Sequence, residues 1–118
     1  MPKVKYYPNR RGNYPVRDFI EQLDKESQAK VYSYITLLQE KRYRLSYPYV
    51  GKGGEGIWYL RPKTKAGQVR IFYFFFKRDP ILLHSFKKKT QKIPKQEIKT
   101  AQARMDDFKV RYERGEFK

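Results

Sequence analysis

The apolar positions of the N-terminal half first alternate and then recur at the spacing of a helix. Residues 4–8 predict a short strand, which Pro8 and the turn after it end. Pro15 suits the first position of a helix, and Asp24 is placed to cap a second one. The two apolar helix faces consist of Val16, Phe19, Ile20 and Leu23 and of Val31, Tyr34, Ile35 and Leu38. The two helices are therefore expected to form a helical hairpin.

The C-terminal half has the period of strands and then returns to a helical period. Strands are predicted over residues 56–62, 69–77 and 81–86, and the short links between them imply antiparallel pairing. A last helix from Pro94 carries one apolar stripe, formed by Ile98, Ala101, Met105, Phe108 and Tyr112. The pattern predicts one domain over residues 1–118, with an α+β fold in which the helices cover one face of a mainly antiparallel sheet.

A glycine-rich segment, YPYVGKGGEG at residues 47–56, separates the two halves, and we interpret it as a loop. Its glycines invite comparison with a phosphate-binding P-loop. That motif requires GxxxxGK[ST] between a strand and a helix, and this segment has neither the motif nor the context. A nucleotide site of this class is therefore not expected.

Composition gives the clearest indication of function. The 118 residues include 28 Lys and Arg against 12 Asp and Glu, a formal net charge of +16. Such a charge attracts polyanions, with nucleic acid as the first expectation and an anionic membrane surface as the competitor. The longest apolar run is too short to span a bilayer and no export signal opens the chain, so we expect a cytoplasmic protein. With no cysteine and one histidine, we expect neither a metal site nor a cofactor.

The positive charge is concentrated in the predicted strands. Residues 56–96 carry eleven Lys or Arg residues, and their only acidic residue is Asp79. A basic surface without a particular function would spread its charge more evenly along the chain. We therefore expect the sheet to present a face that binds the phosphate backbone of a nucleic acid.

Three features of this region allow two interpretations each. Arg70 interrupts an apolar strand face, and it is either a rim arginine whose stem lies along the sheet or a guanidinium fork aimed at a phosphate. The KKK run at residues 87–89 is either a solubilising cluster or a phosphate site in which mutual repulsion lowers the pKa of one lysine. His84 has no second histidine or cysteine near it, and such a residue is more often structural than catalytic.

Four segments, in this order along the chain, resemble the RelE/ParE toxin superfamily and especially its HigB-like, phage-Gp49-like branch. They are GIWYLRP, GQVRIFYFFF, ILLHSFKKKTQKIP and EIKTAQARMDDF, and the resemblance extends over residues 3–115. It implies a RelE-like fold and the toxin of a bacterial type II toxin–antitoxin pair. Such toxins are typically ribosome-dependent endoribonucleases, or mRNA interferases, which cut mRNA and inhibit translation. The implied partner is a helix-turn-helix antitoxin. The resemblance implies that the toxin is linked to operator DNA only through this antitoxin.

The resemblance also implies roles for single residues. Arg70 matches the family arginine at the scissile phosphate, and Arg61 matches a second basic position. Lys88 falls where relatives hold a further cation, a place that Lys87 or Lys89 takes if the alignment shifts by one residue. The remaining candidates are Phe72 and Tyr73 for stacking on a base, Tyr59 and His84 for proton transfer, and Lys63, Lys65, Lys89 and Lys92 for backbone phosphates.

Departures from the family pattern leave the general base open. Some relatives carry a lysine pair where this chain has Ile57 and Tyr59. Others use a Glu/His pair or a tyrosine near the C-terminus, with which His84 and Tyr112 do not align cleanly. The implied reaction is attack of a ribose 2′-hydroxyl on the neighbouring phosphate, with Arg70 stabilising the charge of the transition state. Without an acid–base pair, we expect the ribosome to orient the mRNA.

Two other functions stay open. A protein that binds RNA or the ribosome without cutting would need the same positive charge. A gyrase inhibitor of the ParE type would share the fold, although that branch generally lacks cations at the positions of Arg61, Arg70 and Lys88.

Overall fold

The computed structural model describes residues 3–117, which form three helices and six strands. In chain order these are β1 (Lys5–Tyr6), α1 (Pro15–Glu21), α2 (Lys25–Lys41), β2 (Val50–Gly54), β3 (Ile57–Leu60), β4 (Lys63–Thr64), β5 (Gly67–Phe76), β6 (Asp79–Lys88) and α3 (Lys95–Glu113), with a short 3₁₀ helix at Arg42–Arg44. The predicted α+β, RelE-like fold is confirmed. Within residues 3–117, none of the helices combines the length and the apolar character that crossing a bilayer requires.

The strands form one mixed sheet in the order β1-β6-β5-β3-β2, and the short β4 pairs with β5 outside this path. All pairs are antiparallel except β1 with β6. The predicted turn at residues 63–68 contains β4, and β6 begins at Asp79 rather than at residue 81. The turn between β5 and β6 therefore consists of Lys77 and Arg78, both of which have positive φ, as in a type I′ turn.

Helices cover both faces of the sheet, which corrects the prediction that they lie on one. The side chains of Val69, Ile71 and Tyr73 on β5 pack in a core with the hairpin of α1 and α2. Phe74 points to the other face and packs against Phe108 of α3. Because β5 is apolar on both faces, each face needs its own covering layer.

The helices begin where the sequence predicts. Pro15 is the first residue of α1, and α3 starts directly after Pro94. The carboxylate of Asp24 accepts a hydrogen bond of 3.1 Å from the backbone N–H of Ser27, which caps α2. Hydrogen bonding to the side chain of Ser27 and, after that, to its backbone N–H lowers the pKa of Asp24.

The glycine-rich segment is a strand, not the predicted loop. Val50–Gly54 forms β2, which pairs with β3 at the edge of the sheet. A Cβ atom on Gly51 would overlap the ring of Tyr59, and a Cβ atom on Gly53 would overlap the ring of Phe72. Two aromatic side chains, one from β3 and one from β5, thus lie against the backbone of β2, and only glycine leaves room for them.

Replacing Gly53 by alanine is expected to lower the free energy of unfolding by about 1–3 kcal/mol. The reason is that the Phe72 ring is fully buried in a close-packed interior, so it gives way only by displacing its neighbours. Gly54→Ala is the matched control, since a Cβ there meets its nearest atom, in Gln102, at 3.6 Å. Urea unfolding of the three proteins measures the difference. Equal stability of the two variants would contradict the packing described for Gly53.

Candidate functional site

The sheet register places Lys88 and Arg70 on the same face. Gln68 of β5 pairs directly with Lys88 of β6, and Arg70 follows two residues later on β5. Directly paired residues of an antiparallel pair share a face, as do residues two apart on one strand. This is the face that α3 covers farther along the strands. Near Gln68 it is open to solvent.

Arg61 joins the same cluster from the neighbouring strand. It follows Leu60, which pairs with Ile71, so the β3–β5 register leads Arg61 to the position opposite Arg70. The pKa of Lys88 is lowered by burial and, after that, by the charges of Arg70 and Arg61. The lowered pKa predicted for the lysine run is therefore present, but its electrostatic cause is two arginines on other strands rather than the adjacent lysines.

Arg70 is held inside the sheet with 4% of its surface exposed. Its terminal nitrogens donate hydrogen bonds of 2.9 Å to the carbonyl of Val69 and to the side-chain oxygen of Gln68. The guanidinium carbon lies 6.0 Å from the ring centroid of Tyr59. Burial, with the charge of Arg61 adding to it, lowers the pKa of Arg70.

The buried Nε–H of Arg70 has no hydrogen-bond partner among the described residues. A buried donor on a charged group is costly to leave unpaired, because it gives up water without gaining another acceptor. Arginine stays charged in proteins even when its pKa is lowered. The Nε–H of Arg70 is therefore a charged donor that the described part of the protein leaves without an acceptor.

An open pocket lies at the end of β6, on the same side of the sheet. Its volume is about 350 Å³, and it is lined by Gln68, Lys88, Lys89, Thr90 and Gln91. Lys63 pairs with Gln68 across the β4–β5 ladder and so lies on this face as well. The pocket offers ammonium, amide and hydroxyl donors, the groups that bind phosphate oxygens. Within residues 3–117, no group of His, Cys, Asp or Glu side chains is arranged to hold a metal ion.

Two of the predicted cations lie away from this cluster, so the structure does not bring them together with Arg70. Lys87 pairs with Val69, whose side chain is buried under the helical hairpin, and Lys87 is therefore on the opposite face. Lys65 lies near the start of α2, where its charge adds to the capping hydrogen bonds that lower the pKa of Asp24. Lys92 is exposed in the loop before α3 and stays a predicted backbone contact.

Phe72 and Tyr73 are closed off from any base, so the prediction that they stack on RNA is wrong. Phe72 is fully buried between β2 and α3, and Tyr73 is buried in the core under the hairpin. Burial raises the pKa of Tyr73, which makes its hydroxyl a poor proton donor. Tyr59 is partly exposed beside Arg70 and stays a candidate.

His84 has both ring nitrogens engaged. Its Nε2 donates to the carboxylate of Glu97 at 2.6 Å, and its Nδ1 accepts from Arg104 at 3.3 Å. This tautomer follows because a guanidinium can only donate. The ring is stacked on Phe72 and Phe86, and burial lowers its pKa. His84 thus links β6 to α3, which supports its structural interpretation.

Sequence patterns miss two residues that belong to this surface. The side-chain oxygen of Gln68 accepts a hydrogen bond from the guanidinium of Arg70. The alternation along β5 could have identified Gln68, because residues two apart on a strand share a face. Tyr47 lies with its ring centroid 4.9 Å from the guanidinium of Arg61, and no periodicity indicates the position of a loop residue. Tyr112, the C-terminal tyrosine considered for the general base, lies at the opposite end of β5 from this surface. Its hydroxyl accepts a hydrogen bond from Lys77 there at 2.8 Å.

Comparison with known proteins identifies a family for most of the chain. The family model described as "Phage derived protein Gp49-like (DUF891)" matches residues 18–106. These residues include the second half of α1, all of α2, the strands β2 to β6 and the cations of the site. A search of the curated proteins finds no match.

Proposed function

Because the chain belongs to the Gp49-like phage-derived protein family, a family of RelE/HigB-like toxins, we propose that it is a ribosome-dependent endoribonuclease that cuts mRNA and inhibits translation. At the family level it is the toxin of a toxin–antitoxin pair, and membership implies an antitoxin partner. We propose that this antitoxin is a helix-turn-helix protein, that it alone contacts operator DNA, and that the toxin acts in the cytoplasm.

The single observation that carries the proposal is the buried, charged Arg70 with an unpartnered Nε–H, beside Arg61 and Lys88. In the proposed reaction a ribose 2′-hydroxyl attacks the adjacent phosphorus. Negative charge grows on the nonbridging oxygens, the bond between phosphorus and the 5′-oxygen breaks, and that oxygen takes a proton from water. A fixed guanidinium donor stabilises that charge more than it stabilises the substrate, which is the condition for catalysis. The products are a 2′,3′-cyclic phosphate and a 5′-hydroxyl end.

Lys88 is the proposed acceptor of the 2′-hydroxyl proton. Its pKa is lowered, so a larger share of its amines is neutral at a given pH than for an ordinary lysine. Arg61 neutralises a flanking phosphate, and Tyr59 lines the same place next to Arg70. His84 is left out of this assignment because Glu97 and Arg104 occupy its nitrogens.

Ribosome dependence is the part of the proposal that concerns orientation. In the proposed site the cations hold the phosphate and Lys88 takes the proton, and the in-line placement of the 2′-hydroxyl and the leaving oxygen is assigned to the ribosome. Orientation alone is worth several kcal/mol of a barrier. The ribosome, which holds one codon in a fixed conformation, would supply it.

Induction of the protein without its antitoxin, followed by primer extension on cellular mRNA, tests the proposal. We expect new ends that carry a 5′-hydroxyl and recur at one position within codons. Mutating the start codon of the reporter mRNA should remove them, because an untranslated message does not enter the ribosome.

Absence of new ends during growth arrest would contradict nuclease action and favour a protein that only binds RNA or the ribosome. Loss of negative supercoiling in plasmids from the same cells would instead identify a gyrase inhibitor. Cuts on the untranslated message would refute ribosome dependence while leaving the nuclease activity standing.

A further inference from the structure

Tyr47 is a largely exposed aromatic side chain next to the cation cluster. It lies between the 3₁₀ helix and β2, with 76% of its surface exposed. An exposed tyrosine on a loop would mean little by itself. This one is fixed at one place, since Arg61 contacts the segment around it in three ways.

The first contact is the guanidinium of Arg61 over the Tyr47 ring, 4.9 Å from its centroid. The second and third are hydrogen bonds, from the Arg61 side chain to the carbonyl of Pro48 at 3.3 Å and from its backbone N–H to the carbonyl of Tyr49 at 2.9 Å. The ring of Tyr49 in turn packs edge-on against Tyr34 of α2 at 5.4 Å. The segment is thus anchored at the end of β3.

We propose that Tyr47 is a nucleobase-binding position, at which one base of a single-stranded RNA stacks on the open face of the ring. The guanidinium of Arg61 lies over one face and leaves the other to solvent. An aromatic face accepts any base, and a cation on the opposite side strengthens the stack. The inference rests on the proposed function and deepens it by naming the part of the RNA that this surface holds.

The geometry also sets the order of contacts along the strand. The guanidinium of Arg61 contacts the ring of Tyr47. Its charge also lowers the pKa of Arg70 and the pKa of Lys88, so Arg61 lies near both cations. A nucleotide whose base lies on Tyr47 would therefore place a phosphate at Arg61, next to the linkage at Arg70. A base stacked in this way cannot at the same time be stacked and paired within a duplex, so the site selects single-stranded RNA.

The test uses short RNAs in which every 2′-hydroxyl is methylated, so that attack by that hydroxyl is impossible and binding is read without cleavage. A fluorescent base, 2-aminopurine, is moved through the sequence one position at a time, because its emission falls when it stacks on an aromatic ring. Because the ring accepts any base, with the full-length protein we expect quenching at one or more positions. Tyr47→Ala should abolish this quenching and weaken binding about 10-fold. Tyr47→Trp should retain both.

Tyr43→Ala is the matched control. Tyr43 is equally exposed, at 77%, but its ring lies against Phe75 on the hairpin face of the sheet. Quenching that survives in Tyr47→Ala, or that Tyr43→Ala removes equally, would overturn the assignment to Tyr47. So would a wild-type protein that binds the RNA without quenching at any position. These outcomes leave the proposed nuclease untouched, because its cleavage is measured separately on translated mRNA.

Discussion

Arg70→Ala should lower the rate of mRNA cleavage about 100- to 1,000-fold, the usual cost of removing one fixed donor to a developing oxyanion. The reason is that Arg70 combines burial, a fixed fork and a free Nε–H, none of which a water molecule or a flexible surface lysine reproduces. Single-turnover cleavage on programmed ribosomes measures the rate, and growth arrest after induction gives the same comparison in cells.

Arg70→Lys separates charge from geometry at this position. A lysine keeps the positive charge but loses the fork that Gln68 and the Val69 carbonyl hold, so we expect most of the loss to remain. Because Arg70 is buried, thermal unfolding of each variant shows whether the loss has a structural cause. Full cleavage by a folded Arg70→Ala protein would remove Arg70 from the mechanism.

Lys88→Ala should lower the cleavage rate about 100-fold, whereas Lys87→Ala should leave it near that of the wild type. The two lysines are adjacent in the sequence and carry the same charge, but they lie on opposite faces of β6. A site that needed only a high density of positive charge would respond equally to both changes. Equal effects of the two substitutions would therefore contradict the proposed role of Lys88.

The pH dependence of cleavage gives a second measure of Lys88. If its neutral amine accepts the proton, the rate rises with pH until the amine is fully deprotonated. Arg61→Gln removes one of the two charges that lower the pKa of Lys88, so that pKa rises and the increase in rate moves to higher pH. A profile that does not move would assign the base to another group.

Much of the fold is predictable because it depends on local signals. The two N-terminal helices begin at Pro15 and after Asp24, where a fixed φ and a side-chain cap favour a helix before any tertiary contact forms. The alternation along β5 likewise assigns Arg70 and Phe72 to one face and Ile71 to the other. Both signals act over a few residues, which is the range that a sequence pattern covers.

The wrong predictions share one physical cause. A pattern along the chain carries no information about which residues of other elements pack against a given segment. The segment with Gly51 and Gly53 has the composition of a loop, but it is a strand whose glycines make room for rings on other strands. The aromatic residues predicted to stack on RNA, Phe72 and Tyr73, are covered by layers on both faces of the sheet. Tyr47, which is exposed, has no periodic pattern to identify it.

The sequence by itself determined the three helices and the strands β1, β3, β5 and β6. It also determined the excess of positive charge in the strands and the presence of cations on three separate segments, since all of these depend on composition and short-range spacing. Only the tertiary structure decided which cations meet. The strand register brings Arg61, Arg70 and Lys88 to one face and turns Lys87 to the other. A one-residue shift in that register would exchange Lys87 and Lys88, because successive side chains on a strand point to opposite faces.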